Sequence, residues 1–355
     1  MPIDPNLSAL RERILTAARD GGRLRIRGAG TKDFLGEASE GELLDTRGYA
    51  GIVDYEPSEL VVSARAGTRL SEVEALLAAH GQFLACEPPA FGGDPTLGGI
   101  VAAGLSGPRR ASAGAVRDFV LGVKLLSAAG ELLNFGGRVM KNVAGFDVAR
   151  LSCGSLGILG VLAEVSLKVV PRPASEATLE FAMNAEDAVG AFNRWARRPL
   201  PVSATFWHDG VARVRLSGAP SVVAAARAEL GGALVEAAAA ERAWTSIRDH
   251  SHPFLAPRDP LWRLSVPSGA TALDLPGTLL VEWGGALRWL RTSASATVVR
   301  GAVRRIGGSA ALWHGDGLTP AFEPLPPPLL TIHRRLKAAF DPRSIFNYGR
   351  LVPGL

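Results

Sequence analysis

The chain has 355 residues, 47% of them hydrophobic and 21% charged, with a net charge of +5, which reads as an ordinary globular protein long enough for two domains. Its two cysteines, Cys86 and Cys153, exclude a disulfide framework, a four-thiolate zinc ribbon and a resident iron–sulfur cluster, and each reads as a small buried apolar residue. No zinc-finger spacing or aromatic-basic ribonucleoprotein signature accompanies the mild positive charge, which suits an anionic small ligand better than nucleic acid.

The chain opens on Met1-Pro2-Ile3-Asp4-Pro5 without a signal-peptide pattern. No apolar run approaches the ~20 residues of a bilayer span. Cytoplasmic residence is therefore expected, with docking on a membrane partner left open. Leu7, Leu10, Ile14 and Ala17 recur at helical spacing and predict a first amphipathic helix. Arg23 to Arg27 alternates with period two, as a half-buried strand does, and runs into Gly28-Ala29-Gly30-Thr31. A second strand over 60–64 leads through Gly67 to a helix with Leu70, Val73 and Leu77 on its apolar face, a capping box at Ser71 and Glu74, and a stop at Gly81. Residues 92–107 read as a glycine-dense loop, and 122–135 as a hairpin turning at Ala128-Ala129-Gly130. A strand over 161–170 closes at Pro171-Arg172-Pro173, where the domain boundary is placed.

All seven tryptophans lie beyond that boundary, so residues 174–325 read as a separate cap. Its helices are expected around Val189, Phe192 and Ala196, and around Val299, Val303 and Ile306, with strand-like pieces such as 279–283 between them. Pro326-Pro327-Pro328 reads as a stiff linker to a last helix (Leu329, Ile332, Leu336, Phe340), and residues 326–355 as a tail packing on the first domain.

Three glycine-rich stretches carry the chemistry. In Arg27-Gly28-Ala29-Gly30-Thr31-Lys32-Asp33, glycines after a strand let backbone N–H groups turn inward as an anion nest suited to a pyrophosphate, although a simple turn explains this segment alone equally well. The spacing is neither a Rossmann fingerprint nor a Walker loop. The second stretch, Phe91-Gly92-Gly93-Asp94-Pro95-Thr96-Leu97-Gly98-Gly99-Ile100 continuing to Arg110, holds more small residues than core packing asks for and implies close approach of a large flat ligand. Arg109 and Arg110 offer charge to a phosphate or a reduced anionic flavin, or are solvated surface residues. The third runs from Gly136 to Asp147 and resumes as Gly154-Ser155-Leu156-Gly157-Ile158-Leu159-Gly160.

Together the segments RGAGTKDFLG (27–36), GGDPTLGGIVAAGLSGPRR (92–110), VRDFVLG (116–122), GGRVMKNVAGFDVARL (136–151) and GSLGILG (154–160) resemble the vanillyl-alcohol-oxidase, or PCMH-type, FAD-binding family. With LWRLSVP (261–267), EWGGALRWL (282–290) and FDPRSIFNYGR (340–350) they resemble, more narrowly, the E-type subunit of bacterial glycolate oxidase. The likeness is dense over 22–173, thinner in the cap, and clear at the tail. It implies an α+β fold: an FAD domain of two subdomains over 1–173, an α/β cap, and a C-terminal segment returning to the flavin.

It further implies that Gly28, Ala29, Gly30 and Thr31 hold the pyrophosphate. Gly92, Gly93, Thr96, Leu97, Gly98 and Gly99 match a second flavin-contacting loop, continued by Ser106, Gly107, Arg109 and Arg110. Gly157, Ile158 and Val161 match the strand edge near the adenine, and Asn347 the tail asparagine near the flavin. Tyr348 stands where the family usually has proline. No histidine lies in 27–36 and Cys86 is an unsuitable anchor, so FAD is expected to bind non-covalently.

The implied partners are a larger catalytic flavin subunit and an iron–sulfur subunit, and the implied reaction is oxidation of glycolate to glyoxylate with electrons passed to those partners. A self-sufficient 2-hydroxy-acid dehydrogenase and a non-catalytic assembly subunit are the alternatives. No metal site is expected, because His250-Ser251-His252 lacks carboxylate partners and reads as structural or surface. Arg263 and Arg288, each near a tryptophan in sequence, are candidates for a substrate-carboxylate clamp or for packing and cation–π contacts.

Overall fold

The computed structural model describes residues 4–137, 146–257, 259–315 and 317–355. The 138–145 part of the third glycine-rich stretch therefore lies outside the described residues. Helix α1 (Pro5–Asp20) starts on Asp4, whose carboxylate accepts the Asn6 amide at 2.9 Å, and ends at Gly21 with φ 70°. Leu7, Leu10, Ile14 and Ala17 are all buried on it. The chain then lays β1 (Leu24–Arg27) parallel to β2 (Glu42–Asp45).

There follow β3 (Ile52–Glu56), β4 (Val61–Arg65), α2 (Leu70–Ala79), β5 (Gln82–Phe83), α3 (Leu97–Ala103), α4 (Arg110–Ala113) and α5 (Val116–Phe119). Then come β6 (Val120–Leu126), β7 (Leu132–Gly136), α6 (Val148–Leu151), β8 (Val161–Lys168) and β9 (Val170–Pro171). Five of these strands form an antiparallel sheet in the order β3-β4-β8-β6-β7, and β5 pairs with β9. The β6–β7 hairpin puts Leu126 opposite Leu132 and closes through the Gly130 amide on the Ser127 carbonyl at 2.9 Å.

Two local expectations fail here. Ser71 and Glu74 form no capping box: α2 begins one residue earlier, and Asp94 from the next loop accepts both the Ser71 amide (3.1 Å) and its hydroxyl (2.6 Å). The glycine-dense stretch is not all loop either. Thr96 caps α3 by accepting from Gly99 N, and Leu97, Ile100 and Val101 bury its inner side, which offsets two helix glycines.

The remainder builds an eight-stranded sheet. Its elements are β10 (Ser175–Ala182), α7 (Ala185–Ala196), β11 (Val202–His208), β12 (Val211–Gly218), α8 (Pro220–Leu230), β13 (Ala233–Leu234) and α9 (Ala237–Arg248). They continue with β14 (Leu261–Ser265), β15 (Thr278–Glu282), β16 (Leu287–Arg291), α10 (Ala296–Arg305) and β17 (Ser309–His314). The strand order is β13-β10-β12-β11-β15-β16-β14-β17, and every ladder is antiparallel, with β11–β12 and β15–β16 joined as consecutive pairs and the other neighbours brought together by crossovers. Last comes α11 (Pro327–Phe340). The triple proline is not a linker, because Pro327 and Pro328 open this helix, where a missing N–H costs nothing. The tail then returns to β1, with Phe346 bridging Leu24.

Candidate functional site

Three separate segments and the tail meet in one cleft. Its walls are the turn after β1 (Gly28 to Asp33), the start of α3 (Thr96, Gly98, Gly99), the turn before β8 (Leu156, Gly157), and Asn347 with Arg350. The amides of residues 28–32 donate to no acceptor among the described residues. Consecutive unpaired N–H groups at a partly covered surface are a cradle for anionic oxygen. Gly30 makes the turn possible with φ +78°, in the left-handed region.

The other glycines have a reason the sequence did not disclose. A Cβ on Gly28 would fall 2.1 Å from Thr96 Oγ1, and one on Gly98 would fall 2.7 Å from Ala66 Cβ. One on Gly157 would meet Asn347 Nδ2 at 2.7 Å, and one on Gly93 would meet Thr31 Cγ2 at 2.8 Å. These four are small because the walls of the cleft touch one another. Gly92, by contrast, has open space around it at φ +71°.

Asn347 is 3% exposed, and both polar atoms of its side chain are engaged: Oδ1 accepts from Ile26 N at 2.7 Å and Nδ2 donates to Leu156 O at 2.6 Å. It staples β1 to the turn before β8 from behind the cleft. Tyr348 lies under the Arg23 guanidinium at 3.7 Å. Two cations escaped the sequence reading. Arg350 lines the cleft and donates to Lys32 O at 3.2 Å. Lys32 is 9% exposed, forms no ion pair among the described residues, and donates only to Thr31 Oγ1 at 3.2 Å. Burial pushes its ammonium down to about 8, against the pull of Asp249. The only sign in the sequence was a charged residue directly after a glycine turn.

Several predicted contacts lie elsewhere. Leu97, Ile158 and Val161 are buried in the core, and neither they nor Gly92 and Gly93 line the cleft. Ser106 accepts from Val116 N at 3.0 Å, and Gly107 O accepts from Trp283 Nε1 at 3.1 Å. Arg109 is neither a surface charge nor part of the glycine-lined cleft. Its guanidinium is held by Glu87 (3.0 Å), Ser217 (3.1 Å) and Glu176, with Arg215 completing the network on Glu87 at 2.8 Å. It faces a different cavity of about 610 Å³. Arg110 lies over Trp283 at 4.5 Å.

The cap side of the boundary is aromatic. His250 lies between Phe91, Trp289 and Trp313, stacked on the last at 5.3 Å, and burial pushes it down to about 3. His252 packs on His208, and burial holds it near 4. No group of three or more potential metal ligands occurs among the described residues. Arg263 sits over Trp283 (5.4 Å) and Trp289 (5.9 Å) beside Glu282, whose burial raises its carboxyl to about 7. Arg288 is no clamp, because it donates to the carbonyls of Gly285, Thr271 and Ala270. Burial raises both thiols, Cys86 and Cys153, to about 12.

A dinucleotide needs a pyrophosphate cradle, positive charge and little steric bulk; the amides of 28–32 offer the first, Arg350 in the wall the second, and the glycines of the cleft the third. Comparison with known proteins agrees. The FAD binding domain family matches residues 6–136. Over 348 residues, 98% of this chain and 97% of the relative, the sequence is 45% identical to glycolate oxidase subunit GlcE of Escherichia coli. The chain belongs to the GlcE family of glycolate oxidase subunits. FAD is the cofactor of this GlcE-family chain, and the chain is an FAD-dependent oxidoreductase subunit.

Shorter matches join it to glycolate oxidase subunit GlcD of Bacillus subtilis, 31% identical over 36% of this chain and 27% of that one. A D-lactate dehydrogenase of Archaeoglobus fulgidus is 28% identical over 51% and 41% of the two chains. Alkyldihydroxyacetonephosphate synthase superposes with a TM-score of 0.68 at 14% identity, over 96% of this chain and 75% of that one, which establishes the shared α+β fold. No described helix is long and apolar enough to cross a membrane.

Proposed function

We propose that this chain is the FAD-binding subunit of a complex that oxidises glycolate to glyoxylate and passes the electrons to partner subunits. The observation that carries the cofactor's placement is the run of five acceptor-less amides at 28–32. In this reading residues 1–173 bind FAD, 174–325 form the cap, and 326–355 close the cleft from behind. Bound there, FAD supplies two-electron redox chemistry. The chain's own residues bind and orient it: the amides of Gly28, Ala29, Gly30 and Thr31 hold the pyrophosphate, Thr96 and Gly99 line the cleft beside them, Gly93, Gly98 and Gly157 let its walls pack together, and Asn347 keeps the two walls in register. Attachment is non-covalent, because 27–36 contains no histidine, Cys86 is buried, Cys153 is partly buried, and both thiols are held protonated.

The partners in this reading are a larger catalytic flavin subunit and an iron–sulfur subunit, through which the complex associates peripherally with membrane. The cap pocket beside Arg263 and His250 favours a division of labour. There His250 packs against Phe91, Trp289 and Trp313 and is held neutral by burial, and Arg263 lies over Trp283 and Trp289. The flavin-loaded chain alone should therefore show negligible dye-linked oxidation of glycolate or D-lactate, and activity should appear on co-expression with the two partners. Robust turnover by the lone chain would make it a self-sufficient dehydrogenase. Flavin-free chain that still assembles would make it a structural subunit.

A further inference from the structure

Lys32 forms no ion pair among the described residues. Its ammonium carries three N–H donors and is 9% exposed, yet among the described residues only the Thr31 hydroxyl accepts from it. An unpaired buried cation is costly unless the site is built to receive an anion. The neighbouring cations are committed otherwise: Arg27 pairs with Asp33 at 2.6 Å, and Arg350 donates to the carbonyls of Lys32 and Asp33. Arg109 is consumed by Glu87 and Glu176.

Position separates Lys32 from the pyrophosphate nest. Its side chain leaves the 28–31 turn toward the Phe91 ring, 5.4 Å from Nζ to the centroid, and comes within the field of Asp249 at the end of α9. Phe91 in turn contacts His250 and Trp313 of the cap. Lys32 thus stands at the end of the cleft that the cap covers. The rest of the lining, Thr46, Ala66 and Leu162 among it, comes from the first domain and the tail.

We propose that Lys32 is the positioning cation for the negative charge that the bound flavin acquires on reduction. The inference rests on the cofactor placement given above. Oxidation of a 2-hydroxy acid to the 2-oxo acid releases two electrons and two protons. Passed within the complex to a flavin bound here, both electrons with one proton would leave the ring with one net negative charge, while the other proton goes to solvent. Lys32 favours that reduced state over the oxidised one, which carries no charge on the ring, and so raises the reduction potential.

The test uses the full chain loaded with FAD, as wild type, Lys32→Met and Lys32→Arg. The midpoint potential is measured by dye equilibration, and the affinity for oxidised FAD by fluorescence. Lys32→Met keeps the aliphatic stem, and its fold is checked by circular dichroism. The expected result is a potential lowered by at least about 30 mV in Lys32→Met, a tenfold loss of preference for the two-electron-reduced form. Oxidised FAD should bind within about threefold of wild type, and Lys32→Arg should restore the potential. A tenfold weaker affinity for oxidised FAD at unchanged potential would place Lys32 on the pyrophosphate and overturn the proposal. No change in either would make it a structural lysine and overturn it equally. Wild-type chain that takes up no FAD would sink the cofactor placement itself, and this proposal with it.

Discussion

Lys337 and Asp341 are 3% and 0% exposed, and they fix the tail that returns to the cofactor cleft. Lys337 Nζ donates to Asp341 Oδ2 (2.7 Å), Ile158 O (2.7 Å) and Phe346 O (2.8 Å), while Asp341 also accepts from the amides of Ile345 and Phe346. Removing one member of such a pair strands the other, a loss of about 3–5 kcal/mol. Asp341→Ala should therefore lower unfolding free energy by that amount in a denaturant titration, and a loss under about 1 kcal/mol would show that the pair is not buried in solution. Glu282 gives a pH signature. Burial raises its folded-state pKa to about 7 from 4.5, although Trp289 Nε1 donates to it at 2.7 Å. Its contribution is thus present below about 4.5 and is lost as pH rises through 7, a change on the order of 3 kcal/mol. Glu282→Gln should match wild type near pH 5 and exceed it near pH 8 in thermal melts, and parallel pH profiles would refute the assignment. At this scale the sequence was partly legible. The motif marked Asn347, but only the folded tail shows that it staples two walls together.

Between elements, the widest electrostatic joint links the first domain to the cap. Arg109 and Glu87 come from the first, and Glu176, Arg215 and Ser217 from β10 and β12. Sequence proximity to a glycine stretch placed Arg109 on the cofactor, whereas its partners lie more than sixty residues away in the case of Glu176 and Ser217. Arg109→Met should cost about 2–3 kcal/mol, less than a fully buried pair, because Glu176 is half open to solvent and Glu87 keeps Arg215. Flavin content per folded chain should not change. Colourless but fully stable Arg109→Met would return the residue to the cofactor. Helix α3 shows the same limit of local reading, since two glycines argue against a helix until Thr96 and the close wall at Ala66 are known. Amphipathic α1 and the β6–β7 hairpin were legible because their patterns are complete within the segment.

Over the whole molecule, the FAD-binding half announced itself through glycine turns that recur at fixed places, while the cap gave little. The cap's pocket is assembled from Gly107, His250, Arg263, Glu282 and Trp313, whose meeting depends on strand order and not on any local spacing. What the chain does depends above all on the turn after β1. A side chain at position 30 would start against the Arg27 guanidinium, which lines the same cleft, so a carboxylate there adds negative charge to the cradle and occupies that cation. At about 4 Å and an effective dielectric near 20 the repulsion on a pyrophosphate is at most on the order of 4 kcal/mol, up to roughly a thousandfold in affinity. An alanine at the same place adds no charge, costs ~1 kcal/mol for the positive φ, and needs only the flexible end of the Arg27 side chain to move aside. The decisive measurement is flavin content per folded chain in wild type, Gly30→Ala and Gly30→Asp, with circular dichroism confirming the fold of each. FAD bound in this cleft requires yellow wild type, mostly yellow Gly30→Ala and mostly colourless Gly30→Asp, with flavin released into the supernatant on acid precipitation. Equal flavin in all three folded proteins would mean that the turn at 28–31 does not hold the cofactor.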